Sequence, residues 1–151
     1  MMTTRRWWIT GAVTVTVLAA IAAAVFIWVV PGRSDSDCAA VRQLLDSNAA
    51  HDQAIIAQSD PDNPSETPVS DYRAWATQLK GFADEIADPG LARHAEKVAE
   101  LADQTVGVVV ESRDDANQAP VPGPPAWVQK YADLNSQFKT ELAELVAVCP
   151  A

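Results

Sequence analysis

The chain holds two cysteines and two histidines, the side chains best suited to redox, metal or acid–base chemistry. Cys38 and Cys149 do not form a Cys-x-x-Cys redox pair, and two thiols fall short of the four ligands of a structural zinc site. An even count, with both cysteines on the outer side of a membrane-crossing stretch, reads as one structural disulfide. In the chain-entropy model, closing a loop of roughly 110 residues stabilises by something near 4.7 kcal/mol. His51 and His94 each stand at or beside an apolar stripe, with Asn48 one turn before His51. Paired carboxylates occur at Asp84-Glu85 and Asp114-Asp115, but neighbours in sequence point to different sides of a helix or into a loop, which is not a catalytic arrangement. The sequence contains no Gly-x-Ser-x-Gly, phosphate loop, His-Glu-x-x-His or dinucleotide fingerprint. No catalytic, cofactor-binding or metal-binding residues are therefore assigned, and the expectation is a protein that is not an enzyme.

The elements that position these residues start with Trp7 to Val30, 24 residues without a charge. About 20 apolar residues cross a hydrocarbon core about 30 Å thick. Trp7 and Trp8 at one end and Trp28 near the other place indoles at both lipid boundaries. Arg5 and Arg6 precede the stretch, whereas Arg33, Asp35 and Asp37 follow it, so the N-terminus (1–6) is expected in the cytoplasm and 31–151 outside the cell membrane. A cleaved signal peptide is the alternative, with Ala22-Ala23-Ala24 as the cleavage-site mimic. Hydrophobicity continues through Val25 to Val30, where a mature N-terminus should turn polar, and no cysteine near Ala19 to Ala24 offers a lipoprotein acceptor.

About 120 residues remain outside, enough for one compact core. Of 11 basic residues two precede the stretch, leaving 9 against 20 acidic ones, a net charge of −11. That surface repels phosphate backbones and disfavours nucleic-acid binding; solubility of an exported domain explains it.

Four outer helices follow, over about 36–58, 68–87, 89–113 and 125–148. The first carries Val41, Leu44, Leu45, Asn48, Ile55 and Ile56 on its apolar face, with Ser34, Asp35 and Ser36 as cap candidates. A polar loop, 59–68, holds three prolines. The second helix, starting at Pro68 or Val69 and capped by Thr67 with Pro68 at the first helical position, shows Tyr72, Trp75, Leu79, Phe82 and Ile86 at spacings of three and four. Asp88-Pro89-Gly90 forces a tight hairpin into the third, which buries Leu91, Ala95, Val98, Leu101, Ala102, Thr105, Val108 and Val109. A proline-rich linker, 114–125, leads to the fourth, with Trp127, Tyr131, Leu134, Phe138, Leu142, Leu145 and Val146 on one side.

Four such helices predict an all-α, up-down-up-down bundle closed by the Cys38–Cys149 bridge. An even count brings the first and last residues to one end, whereas three or five helices would separate them by near 30 Å. In that frame His51 and His94 differ in height by roughly 13 Å and share no ligand, so each is expected to be a satisfied boundary residue, with a buried pH-sensitive contact as the alternative.

Two surfaces remain as binding candidates. In the membrane stretch Ala12, Thr16, Ala20 and Ala24 recur every four residues, flanked by Ala19 and Ala23, a small face that lets another helix approach; alanine is common in such helices, so a plain anchor fits as well. In the bundle Trp75, Phe82, Trp127, Tyr131 and Phe138 form either core or a lining for an apolar ligand.

Tyr72-Arg73-Ala74-Trp75-Ala76, followed by Asp88-Pro89-Gly90-Leu91-Ala92-Arg93-His94-Ala95, resembles small single-pass mycobacterial cell-envelope membrane proteins whose function is not assigned. The resemblance spans the second and third helices and implies an accessory subunit of an envelope complex, such as an Mce-type lipid importer; it carries over no binding residues. The expected function is a non-enzymatic accessory or scaffolding subunit of a larger membrane protein complex, contacting it through both anchor and bundle. The alternative is an extracytoplasmic helical module binding a lipid or other apolar ligand. An envelope enzyme would need a cleft with clustered polar groups, which the pattern does not present.

Overall fold

Ser34 starts the first helix by chemistry its neighbours lack: its hydroxyl accepts from the Asp37 backbone N–H at 3.2 Å and satisfies one of the free donors of the first turn. The computed structural model describes residues 34–58, 66–117 and 122–150. Among them are four helices, α1 (Asp35–Gln58), α2 (Val69–Asp84), α3 (Pro89–Ala116) and α4 (Ala126–Val148). Among the described residues no helix is long and apolar enough to cross a membrane. The stretch 7–30, with Trp7, Trp8 and Trp28 and the small face of Ala12, Thr16, Ala20 and Ala24, lies outside the described residues, as do 59–65 and 118–121.

Three helix ends differ from expectation, each for a local reason. Pro68, at φ −57° and ψ 146°, is the extended cap of α2 and not its first helical residue. Thr67 gives no side-chain cap; it is buried, and its carbonyl accepts from the Arg113 guanidinium. Next, α2 stops at Asp84, short of residue 87, because the Ala87 N–H that would continue it donates instead to Asp37 Oδ1 at 2.9 Å, and proline at 89 disfavours a helical residue before it. Ile86 is buried all the same. Asp88 then opens α3, its Oδ1 accepting from the N–H groups of Gly90 and Leu91, both at 2.9 Å, with Pro89 in the first position. At its far end α3 runs on through Asp114, Asp115 and Ala116, residues expected in the proline linker. Pro120 disfavours helix at the residue before it and at itself, which leaves 114–116 free to stay helical.

Cross-helix contacts fix the directions. Ser47 donates to Gln78 at 2.9 Å between α1 and α2, while α3 and α4 meet at His94–Glu141 and at Glu111–Lys130, so the numbers rise on one helix as they fall on the other. With the four-residue α2–α3 connection, successive helices run antiparallel and each packs mainly on its neighbours in sequence; α1 meets α3 only slightly. Cys38 and Cys149 are bridged, their Cα atoms 5.3 Å apart, at the end where Asp37 ties α1 to the α2–α3 turn.

Leu44, Leu79, Leu101 and Leu145, one from each helix, are fully buried and form the axis of the core, with Val41, Val98 and Val108 beside them. Ile56 is the clearest misplacement: it is 73% exposed, because at 3.6 residues per turn it lies about 120° round the helix from Leu44, whereas Ile55 lies close to Leu44's own line. Val146, one residue past Leu145 and so about 100° off its face, is exposed for the same reason. Tyr131 is exposed as well, at the rim of the cleft on the α4 side.

Candidate functional site

The residues with chemistry collect in a cleft of about 110 Å³ reached by all four helices. Helix α1 contributes Asn48, His51, Asp52 and Ile55; α2 contributes Tyr72 and Trp75; α3 contributes Thr105; α4 contributes Tyr131, Asn135, Phe138, Lys139 and Leu142. Asn48 and His51 stand one turn apart and so share a face, and Trp75 meets them because α2 runs antiparallel beside α1. The His51 imidazole is stacked on the Trp75 indole, centroids 4.5 Å apart and planes within 9°. Tyr72 presents its ring to His51 edge-on at 5.2 Å, and Phe138 packs tilted against Trp75 at 5.7 Å.

Three residues that line this cleft each carry a buried polar atom without a hydrogen-bond partner: Asn48 Oδ1, His51 Nε2 and Trp75 Nε1. Asn48 donates its amide N–H to Asp52 Oδ2 at 3.4 Å. Burial holds the His51 pKa below the ordinary 6.5, with Asp52 and Asp71 drawing it part of the way back. Burial likewise raises the Tyr72 phenol above 10.0, with Tyr131 adding to the rise. At neutral pH the imidazole is uncharged and its Nε2 can serve as donor or acceptor.

His51 is therefore not the satisfied boundary residue expected. His94 is: its Nδ1 lies 2.6 Å from Glu141 Oε2, and Arg93 Nη2 is 3.3 Å from Nε2. The histidines serve separate contacts, one linking α3 to α4 and the other stacked between α1 and α2. Clustered polar groups, which the sequence pattern did not present, are thus present as Asn48, His51 and the Trp75 indole. Among the described residues no group of histidine, cysteine or carboxylate side chains could hold a metal ion.

The five aromatics proposed as a ligand lining do not converge. Trp75, Tyr131 and Phe138 line the cleft. Trp127 instead donates its indole N–H to Asp115 Oδ2 at 3.2 Å and lines a separate hollow with Gly107, Val110 and Glu111, while Phe82 packs against the core. The cleft volume is below the roughly 150 Å³ that accommodates one benzene in an engineered cavity.

A second and larger concavity, about 840 Å³, runs between α2 and α3. Ala76 and Ala83 from α2 and Ala99 and Val106 from α3 form its floor, all buried. Arg73, Thr77, Lys80 and Asp84 stand along the α2 rim, and Glu96, Glu100 and Asp103 along the α3 rim. Lys80 is paired with Asp84 in its own helix at 2.7 Å, and Glu100 with Lys97 at 2.8 Å. Sequence reasoning passed over this groove. Its signal was available: Ala76 and Ala83, like Ala99 and Val106, are seven residues apart, so each pair places short side chains along one helix seam.

Compared with family models, with curated proteins and with solved structures, the chain matches none.

Proposed function

We propose that this chain is a non-enzymatic, membrane-anchored accessory subunit of a larger cell-envelope complex, held in the membrane by residues 7–30 and docked through the α2–α3 groove. The observation that carries the proposal is the groove's construction: a floor of buried alanines and valine between two charged rims. Short floor side chains let a third helix lie close to α2 and α3, near the lower end of the 8–10 Å range of interaxial distances. The α3 rim is wholly acidic, so the matching helix bears basic residues along that edge; on the α2 rim Lys80 is paired with Asp84 and stands beside Arg73. The disulfide supports an oxidising, extracytoplasmic location for the bundle. The small face of Ala12, Thr16, Ala20 and Ala24 supplies a second contact inside the membrane. On the resemblance carried by residues 72–76 and 88–95, the complex is an actinobacterial envelope transporter, such as a lipid importer of the Mce type.

Purification of the tagged chain in mild detergent under native expression tests this. A membrane protein should co-purify in fixed proportion, and the exposed charge reversals Glu100→Lys and Asp103→Lys should release it while leaving the thermal melt of the bundle unchanged. A lone monomer overturns the proposal, and a partner retained by both reversals moves the contact off this groove. Ala20→Leu and Ala24→Leu test the membrane face in the same way.

A further inference from the structure

We infer that the second half of α1, residues 49–58, is an acid-released strap that lies on α2 at neutral pH and lifts away when His51 takes up a proton. The two halves of α1 are held differently. Its buried residues are Asp37, Ala40, Val41, Leu44 and Asn48, all before position 49. That first half is also fixed by the Cys38–Cys149 bridge and by the Asp37–Ala87 bond. From 49 to 58 no residue is buried; His51, Ile55 and Gln58 are half-buried and the others exposed. The α1 backbone packs on α2, meets α3 only slightly and hardly approaches α4, so this half rests on α2. Segments with so little buried surface open at low cost while the rest of the fold stays intact.

His51 is the ring that joins this half to α2. It stacks on Trp75, centroids 4.5 Å apart, and meets the edge of Tyr72 at 5.2 Å. A proton on that ring meets opposing influences. The indole face favours a cation, and Asp52 of α1 and Asp71 of α2 attract it. Against them, the charged imidazole donates from both nitrogens, and its Nε2 is buried with no acceptor beside it. The neutral ring can leave that nitrogen bare; the charged ring cannot. Burial is the larger influence and holds the pKa of the closed strap below 6.5. The other titratable groups lining the cleft are Tyr72 of α2 and Tyr131 and Lys139 of α4. From α3 the cleft receives Thr105, which does not titrate, and the Arg113 charge is felt at Tyr72. Lifting the strap returns His51 to water, where it protonates at its ordinary value. Between pH 7.5 and 5 the released fraction therefore rises, by up to about thirtyfold where the closed ring stays neutral throughout. None of these residues lines the α2–α3 groove, so the strap does not depend on the docking proposal.

Amide hydrogen exchange of the full-length chain in detergent, read as protection factors at pH 7.5 and 5, is the test. Protection over residues 49–58 should fall several-fold at pH 5, while residues 40–48 and the buried positions of α2 keep theirs. His94 lies between α3 and α4, so its titration would not single out this segment. In His51→Phe, and in His51→Gln should the first variant fail to fold by circular dichroism, residues 49–58 should be protected equally at both pH values. Unchanged protection of 49–58 in the unaltered chain overturns the inference. So does an equal fall over 40–48, which would mark loss of the whole bundle. A fall at pH 5 that persists in a folded variant without the imidazole overturns it too, because the release would then belong to other groups.

Discussion

Trp75 carries the His51 ring flat against its indole, 4.5 Å between centroids, and this stacking couples the bundle's stability to protonation of one imidazole. Burial lowers the His51 pKa below 6.5; Asp52 and Asp71 oppose the shift, and Tyr72, Tyr131 and Lys139 are the other titratable groups around the cleft. In the unfolded chain the ring takes up a proton near its ordinary value, whereas in the folded chain it resists. Stability is thus fully present above 6.5 and is lost as the pH falls towards the lower folded value. His51→Phe keeps a flat ring on Trp75 but cannot titrate. Urea unfolding between pH 7.5 and 5 should show the unaltered chain weakening and the variant nearly constant, and parallel curves would falsify the coupling.

Asp37, a carboxylate, holds the other end of α1. Its Oδ1 accepts from the Ala87 N–H at 2.9 Å and its Oδ2 from the Ser34 hydroxyl at 2.8 Å, and these bonds to the ionised form, that of Ala87 first, hold its pKa below 3.8. The stability this supplies is present above pH 3.8 and lost as the pH falls through the folded value. Asp37→Asn should lower the melting temperature at neutral pH and flatten the acid limb of a stability-against-pH curve. A variant melting like the parent at pH 7 would mean that the carboxylate does not tie α1 to the α2–α3 turn.

The core separates a leucine and an isoleucine of α1 that look alike in the sequence. Leu44 has no exposed surface, so Leu44→Ala should cost about 2–5 kcal/mol, through lost burial and the space left behind. Ile56, 73% exposed, should tolerate Ile56→Ala within about 0.5 kcal/mol. Chemical denaturation of the two variants measures the contrast directly, and a large loss at Ile56 would place a partner surface over the end of α1.

What the sequence made legible was periodicity and punctuation. Leu44, Leu79, Leu101 and Leu145 follow from the three-and-four spacing, and the α2–α3 turn follows from Asp88-Pro89-Gly90, because both are local properties of the chain. The bridge followed from the even cysteine count and the expected outer location, with an even helix count bringing the two ends together. What was not legible depends on contacts between distant residues. Nothing near Ala87 indicates that its N–H is taken by Asp37, 50 positions earlier, which is why α2 ends sooner than its pattern. His51 sits beside an apolar stripe in either case; only the approach of Trp75 distinguishes a satisfied side chain from an orphaned one. The α2–α3 groove escaped notice because alanines carry little weight in a hydrophobic stripe, although their shortness is what opens it.

The Cys38–Cys149 bridge and the Asp37–Ala87 bond lie side by side, which predicts how the bundle loosens on reduction. The bridge spans a separation of 111 residues, and a loop of that order restricts the unfolded chain by about 4.7 kcal/mol in the entropy model. Because the term belongs to the unfolded state, Cys38→Ser, Cys149→Ser and the double variant should each lose about the same amount in urea unfolding. Native structure should change little at the start of α1, where Asp37 still grips the α2–α3 turn. At the end of α4 the capping Cys149 N–H bonds only to the Leu145 carbonyl of its own helix, at 2.9 Å, so that end loses its one covalent tie to α1. Amide hydrogen exchange should therefore quicken first over residues 142–148 on reduction, with the amides of 38–44 remaining protected. Equal acceleration at both places would show that the carboxylate does not hold α1 without the disulfide.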